Sequence, residues 1–187
     1  MNLFCSSMWI LLIGLVVLEA GTAFGQKPIV LEGHENVVSA LAFSDDGRQL
    51  FSASWDRTVR VWDSSTGRQE ALLEGHTDWV FDLCLPGGPG KTGVRSASQN
   101  ELLQWSSTFK KMTQQTGLGG ATVNSAAFSP DGKWIAIGGR DGLVRVRSTE
   151  KESAPIEIGG FRSWVSDLCF TADGQVLAAG TRTGTVR

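Results

Sequence analysis

Leu31 to Leu73 reads LEGHENVVSALAFSDDGRQLFSASWDRTVRVWDSSTGRQEALL, and its punctuation decides the fold. It begins with Gly33-His34 and reaches Trp62-Asp63 after two turn signals. Val38 to Phe43 alternates apolar and small or polar residues, the mark of a half-buried strand. Ser44-Asp45-Asp46-Gly47 reads as a hairpin turn, with Gly47 free to take positive φ. Leu50 to Ser54 is a second expected strand. After the turn Asp56-Arg57-Thr58, Val59 to Trp62 is a third, rich in β-branched residues. Thr66-Gly67 turns the chain into a fourth, Glu70 to Leu73. No apolar spacing of 3.6 residues competes for a helix in this stretch.

The unit recurs. Val38, Val80, Val123 and Val165 head the segments VSALAFSDDG, VFDLCLPGGPG, VNSAAFSPDG and VSDLCFTADG, at steps of 42, 43 and 42 residues. A period of about 40–45 residues carrying Gly-His and Trp-Asp marks one four-stranded propeller blade. The chain resembles the WD-repeat (tryptophan-aspartate repeat) β-propeller family from Lys27 to Arg187. The first copy carries the resemblance most fully. The second keeps Gly75-His76 but has Pro86-Gly87-Gly88-Pro89-Gly90 in its first hairpin, Asn100 for the turn Asp and Trp105-Ser106 for Trp-Asp. The third keeps Asp131-Gly132 and the turn Asp141, with Gly119 in place of the His and Arg147 in place of the Trp. The fourth has Phe161 at the His position and Thr183 at the turn Asp, and reaches Arg187 within its third strand.

The expected fold is therefore all-β: a partial WD-repeat β-propeller of about four blades of four antiparallel strands, preceded by a hydrophobic leader helix. Repeats fall at about 31–73, 74–116, 117–158 and 159–187, the last incomplete, within one domain spanning 26–187. Blades missing after Arg187 are the favoured reading, with a closed four-blade ring and self-association to complete a ring as the alternatives. Residues 27–31 match the outer strand of a blade, and the resemblance implies that this strand latches the last blade.

The N-terminus differs in kind. Met8 to Leu18 is an apolar run, followed by small residues around Ala23 and Gly25. That order predicts a signal peptide over residues 1–25 and a secreted or periplasmic protein. The alternatives are a membrane anchor formed by residues 8–25, or a misjudged start or buried segment. No Lys or Arg precedes the run, which is unlike most export signals. After leader cleavage no membrane association is expected.

Composition narrows the function classes. The 187 residues carry 17 basic and 19 acidic side chains and no long run of either sign, which argues against a nucleic-acid surface. Twenty-three glycines and seven tryptophans with no tyrosine suit a turn-rich β protein. Two histidines 42 residues apart and the lack of a C-x-x-C argue against a metal site, and no cofactor is expected. Cys84 and Cys169 occupy the same place in non-adjacent copies, so two buried thiols are expected and no disulfide.

His34, Ser52, Asp56 and Trp62 superficially suggest a Ser-His-Asp triad. The resemblance instead gives them a buried hydrogen-bond network, with Ser52 or Ser54 as the hydroxyl. Chemistry supports this independently, because one imidazole can tie a turn carboxylate to a strand hydroxyl and leave no buried polar group alone. His76, Ser96 or Ser98, Asn100 and Trp105 could build a partial second version, and Asp141 is the turn acid of the third copy. The approaches to the first strands and the turns after the second strands share one propeller face. Trp55, Trp79, Arg140, Trp164 and Arg182 fall there, as candidate partner-binding residues. The competing reading is that Trp79 and Trp164 merely cover the blade below. Trp134 is expected in the core. The expected function is a non-catalytic scaffold for protein partners that the sequence does not name. A propeller-based envelope ligand sensor and the binding part of a larger enzyme are the rival classes.

Overall fold

The computed structural model describes residues 15–17, 28–85, 93–99, 101–116, 123–151 and 153–187. Among them there is no helix; every regular element is a strand. β1 (Leu15–Val17) pairs antiparallel with β2 (Ile29–Leu31). β3 (Val38–Phe43), β4 (Gln49–Ser54), β5 (Thr58–Asp63) and β6 (Gln69–Glu74) form the first four-stranded antiparallel sheet. β7 (Val80–Cys84), β8 (Val94–Ser98), β9 (Glu101–Trp105) and β10 (Lys111–Thr116) form the second. β11 (Val123–Phe128), β12 (Trp134–Gly139), β13 (Val144–Ser148) and β14 (Ile156–Ile158) form the third. β15 (Val165–Phe170) and β16 (Leu177–Thr181) make a fourth sheet of two strands, and Gly180 bridges to Val186 in the position of a third.

The leader is corrected where it can be seen. Among residues 1–27 the structure describes Leu15–Val17, and these form a strand, not a helix. Two β-branched valines suit an extended backbone, and the apolar run Ile29-Val30-Leu31 offers them a partner. The remainder of the expected signal peptide, Cys5 and most of the candidate anchor lie outside the described residues. Among the described residues no helix is long and apolar enough to cross a membrane.

The hairpins follow local chemistry. In the first sheet Ser44 Oγ donates to Asp46 Oδ1 at 2.7 Å, and Gly47 closes the turn at φ 69°. Ser129 with Asp131, and Thr171 with Asp173, repeat this in the third and fourth sheets. The hydroxyls of Ser65 and Thr66 donate to Asp63 in the turn after β5 and hold its carboxyl down at about 2.

One irregularity recurs in the four sheets that follow β2. The register slips between Val38 and Ala40, Val80 and Asp82, Val123 and Ser125, and Val165 and Asp167. A bulge leaves one residue out of the ladder and turns it elsewhere. Two of these residues reach the neighbouring sheet: Ser39 Oγ donates to Val80 O at 2.6 Å, and Asn124 Nδ2 to Val165 O at 3.0 Å.

The core lies between sheets. Phe51, Val59, Val61 and Leu73 of the first sheet pack with Val80, Leu83, Val94 and Leu103 of the second. Ala97 and Leu102 meet Val123, Ile135 and Ile137 of the third, and Ala136 and Val144 meet Val165 and Leu168 of the fourth. Leu31 of β2 covers the outer flank of the first sheet, against Leu50 and Trp62. Trp134 corrects the expectation of burial. It is 43 % exposed at the start of β12, opposite Ser148, while the five residues after it are buried.

Candidate functional site

In the first sheet the Gly33-His34 approach and the β4–β5 turn bring four side chains together. Trp62 Nε1 donates to Ser52 Oγ at 2.8 Å, and Ser52 Oγ lies 2.7 Å from His34 Nε2. His34 Nδ1 lies 2.7 Å from Asp56 Oδ2. Counting donors fixes the proton positions. An indole only donates, so Ser52 accepts from it and gives its own hydrogen to Nε2, leaving Nδ1–H for Asp56. The chain of donors is complete with a neutral imidazole. Burial lowers the His34 pKa, although Asp56 pulls the other way. Burial works against the charge of Asp56, but hydrogen bonds from Thr58 and His34, joined by the Glu35 amide, outweigh it and hold the carboxyl below its usual value. Ser52 is 0 % exposed and its hydroxyl already serves two partners. Ser54 stands apart, with its Oγ taken by the Asp56 amide at 3.0 Å.

The second sheet builds the same figure with a different acid. His76 Nε2 lies 2.7 Å from Ser96 Oγ, and Trp105 Nε1 donates to Ser96 Oγ at 3.0 Å. Glu101 stands where Asp56 stands in the first sheet: its Oε2 accepts from the Thr77 amide at 3.1 Å and lies 3.6 Å from His76 Nδ1. Asn100 lies outside the described residues. Sequence reasoning passed over Glu101, which opens β9 at the place of Thr58. An acid heading the apolar pair Leu102-Leu103 was the available signal.

In the third sheet Asp141 has no imidazole and takes Arg145 instead, Nη2 to Oδ2 at 2.8 Å, while Arg145 Nε donates to Glu157 at 3.0 Å. Nothing in the residue pattern singled out Arg145 beforehand. In the fourth, Phe161 at the His position carries the Arg187 guanidinium over its ring at 5.4 Å. Cys84 and Cys169 are not joined in a disulfide and are half-buried in place of the full burial expected, and burial raises the Cys84 pKa. Among the described residues no group of three His, Cys, Asp or Glu side chains could hold a metal ion.

The rim residues fall into two sets. Trp55, after β4, stacks on Trp79, before β7, with centroids 4.5 Å apart and planes 5° from parallel. The equivalent seat between the third and fourth sheets holds Trp164, with the Arg140 guanidinium 4.7 Å and that of Arg182 5.3 Å from its ring centroid. Trp79 is 41 % and Trp164 37 % exposed. Each tryptophan thus covers a neighbouring turn with one part of its surface and presents the rest to solvent.

Serial antiparallel sheets joined face to face, the first two each bearing a His–Ser–acid–Trp figure, define a repeat protein of the propeller class. The family model for the WD domain, G-beta repeat, matches residues 25–63, 111–148 and 156–187. The chain belongs to the WD-repeat family. Residues 64–110 lie outside those matches, yet β7, β8 and β9 form there and are completed to a four-stranded sheet by β10, which lies within the second match. Similar proteins include THO complex subunit 3 of Arabidopsis thaliana, 28 % identical over 83 % of this chain and 50 % of that protein. The small ribosomal subunit protein RACK1y of Oryza sativa is 31 % identical over 83 % of this chain and 48 % of its own length. The nuclear distribution protein nudF 1 of Talaromyces marneffei is 30 % identical over 77 % and 32 %. The chain spans about half the length of the first two of these relatives. Their names correct the expected location: a ribosomal subunit, a THO complex and nuclear distribution belong inside cells, which overturns a secreted or periplasmic protein.

Proposed function

We propose that this chain is a non-catalytic WD-repeat scaffold that holds protein partners on the rim formed by Trp55, Trp79, Arg140, Trp164 and Arg182. The observation that carries the reading is the pair of half-exposed tryptophans, each already fixed by a stacking partner. A large rigid side chain loses little conformational freedom on binding, and Trp and Arg are the side chains that most often dominate interfaces. Relatives named as subunits of a ribosome and of a THO complex support a role in assemblies. The two histidine figures serve stability in this reading. A nucleophilic serine must present its oxygen to a substrate, whereas Ser52 is sealed from solvent and Ser96 is fully buried.

The test is affinity enrichment with the intact chain and with Trp55→Ala/Trp79→Ala, quantified protein by protein. A defined set of proteins retained by the parent and lost by the variant, with unchanged melting, supports the rim. Identical retention by both, or no protein retained above a folded control, sinks it.

A further inference from the structure

The seat between the third and fourth sheets differs chemically from the one between the first and second. At Trp55 and Trp79 the stack is uncharged. At Trp164 the same position is flanked by Arg140 and Arg182, both exposed. Exposed Arg162 adds a third cation two residues before Trp164. Several other cations have acids to hand: Arg145 binds Asp141 and Glu157, Arg48 lies beside Asp46 and Lys133 beside Asp131. Among the described residues neither Arg140 nor Arg182 has an ion-pair partner. Stacking on an indole fixes the plane of a guanidinium while leaving its N–H edge free, which is the arrangement that binds a carboxylate through two parallel hydrogen bonds.

We propose that Arg140, Trp164 and Arg182 form a receptor for an acidic, carboxylate-bearing segment of a protein partner, lying extended across the third and fourth blades. This rests on the rim reading above and adds the chemistry of the partner. Both guanidinium carbons lie near one ring centroid, within about 10 Å of each other, and alternate side chains of an extended peptide stand about 7 Å apart, so two acids of one strand reach both forks. Nucleic acid is disfavoured by the balance of 17 basic and 19 acidic residues, which leaves three local arginines and no basic stripe.

The experiment uses the intact chain and a labelled twelve-residue peptide of alternating Glu and Ser, read by fluorescence anisotropy and by Trp emission. The expected result is saturable binding that weakens with salt and is roughly tenfold or more weaker for the Gln-for-Glu peptide. The same loss is expected for Arg140→Gln/Arg182→Gln, which removes both charges from exposed positions and leaves melting unchanged. Three results overturn the proposal: equal binding by parent and variant, no binding at about 0.1 mM peptide, or tighter binding of a DNA duplex of equal charge. A phosphoserine peptide without Glu that binds more tightly also overturns it, in favour of a phosphate ligand. If proteins are lost with Trp55→Ala/Trp79→Ala while the Glu peptide fails to bind, the rim survives and the acidic receptor falls. If the Glu peptide binds and no proteins are lost, the receptor stands and the wider rim falls.

Discussion

Ser52→Ala is the most informative single change. The hydroxyl is one oxygen, but it closes two hydrogen bonds, accepting from Trp62 Nε1 at 2.8 Å and meeting His34 Nε2 at 2.7 Å. Alanine leaves a buried indole N–H and a buried imidazole nitrogen without that partner. Each unsatisfied buried group costs about 1–3 kcal/mol, and the small cavity left by one oxygen adds little. A loss of about 2–6 kcal/mol is therefore expected, against a total stability of about 5–15 kcal/mol. For a chain of this size each kcal/mol lowers Tm by about 2–4 °C, so a fall of about 4–24 °C is expected by circular dichroism. Urea unfolding should show a lower midpoint with an unchanged slope. Combining Ser52→Ala with Trp62→Phe completes a double-mutant cycle, and the two losses should overlap by about 1 kcal/mol or more because they break one bond from opposite ends. A loss below about 1 kcal/mol for Ser52→Ala, or strict additivity in the cycle, would refute the claim that this oxygen joins the two rings.

Glu101→Ala should lower stability by about 1–3 kcal/mol in the same urea assay, because the Thr77 amide loses its acceptor and His76 the carboxylate beside it. Burial pushes the Asp82 carboxyl up to about 7, with the charge of Asp167 adding to it, while the Phe128 amide donates to its Oδ2 at 3.1 Å. The folded state therefore holds a proton that the unfolded chain releases near pH 4. The Asp82 contribution is full below that pH and is lost as pH rises to about 7. Asp82→Asn should remove this downward slope from Tm measured between pH 4 and 7; an unchanged slope argues that the group titrates normally. Gly47→Ala and Gly142→Ala separate two kinds of strain. Both glycines have positive φ, 69° and 76°, but a Cβ at Gly47 meets open space and one at Gly142 runs into the Phe161 carbonyl. The first change should cost about 1 kcal/mol and the second clearly more; equal losses in urea would show that backbone conformation alone decides both.

Legibility in the sequence followed repetition. The 42–43-residue step carries strand order, turn positions and the His–Ser–Asp–Trp figure of the first copy, because each is written in residue types at fixed spacing. Glu101 escaped for the same reason. The family position for the turn acid holds Asn100, and a longer side chain one residue later supplies the carboxylate instead. Trp134 escaped because residue type does not tell that the first residue of β12 stays exposed while those after it are buried. Leu15 to Val17 were misjudged by weighing hydrophobicity above β-branching. What they pair with, Ile29 to Leu31, is separated from them in the chain and invisible to a local reading. The rim tryptophans were legible as positions, but their stacking partners were not, since these contacts cross from one repeat to the next.

The slipped register at the head of each first strand has a consequence for how damage spreads. Ser39 and Asn124 are freed from their own ladders, and each fastens to the leading valine of the sheet that follows. Cohesion therefore passes from leaf to leaf along a row, with each leaf relying on its immediate neighbour and not on a shared centre. Amide exchange in such a row opens outward from a weakened leaf, so a lesion in the first would register in the second well before it reached the fourth.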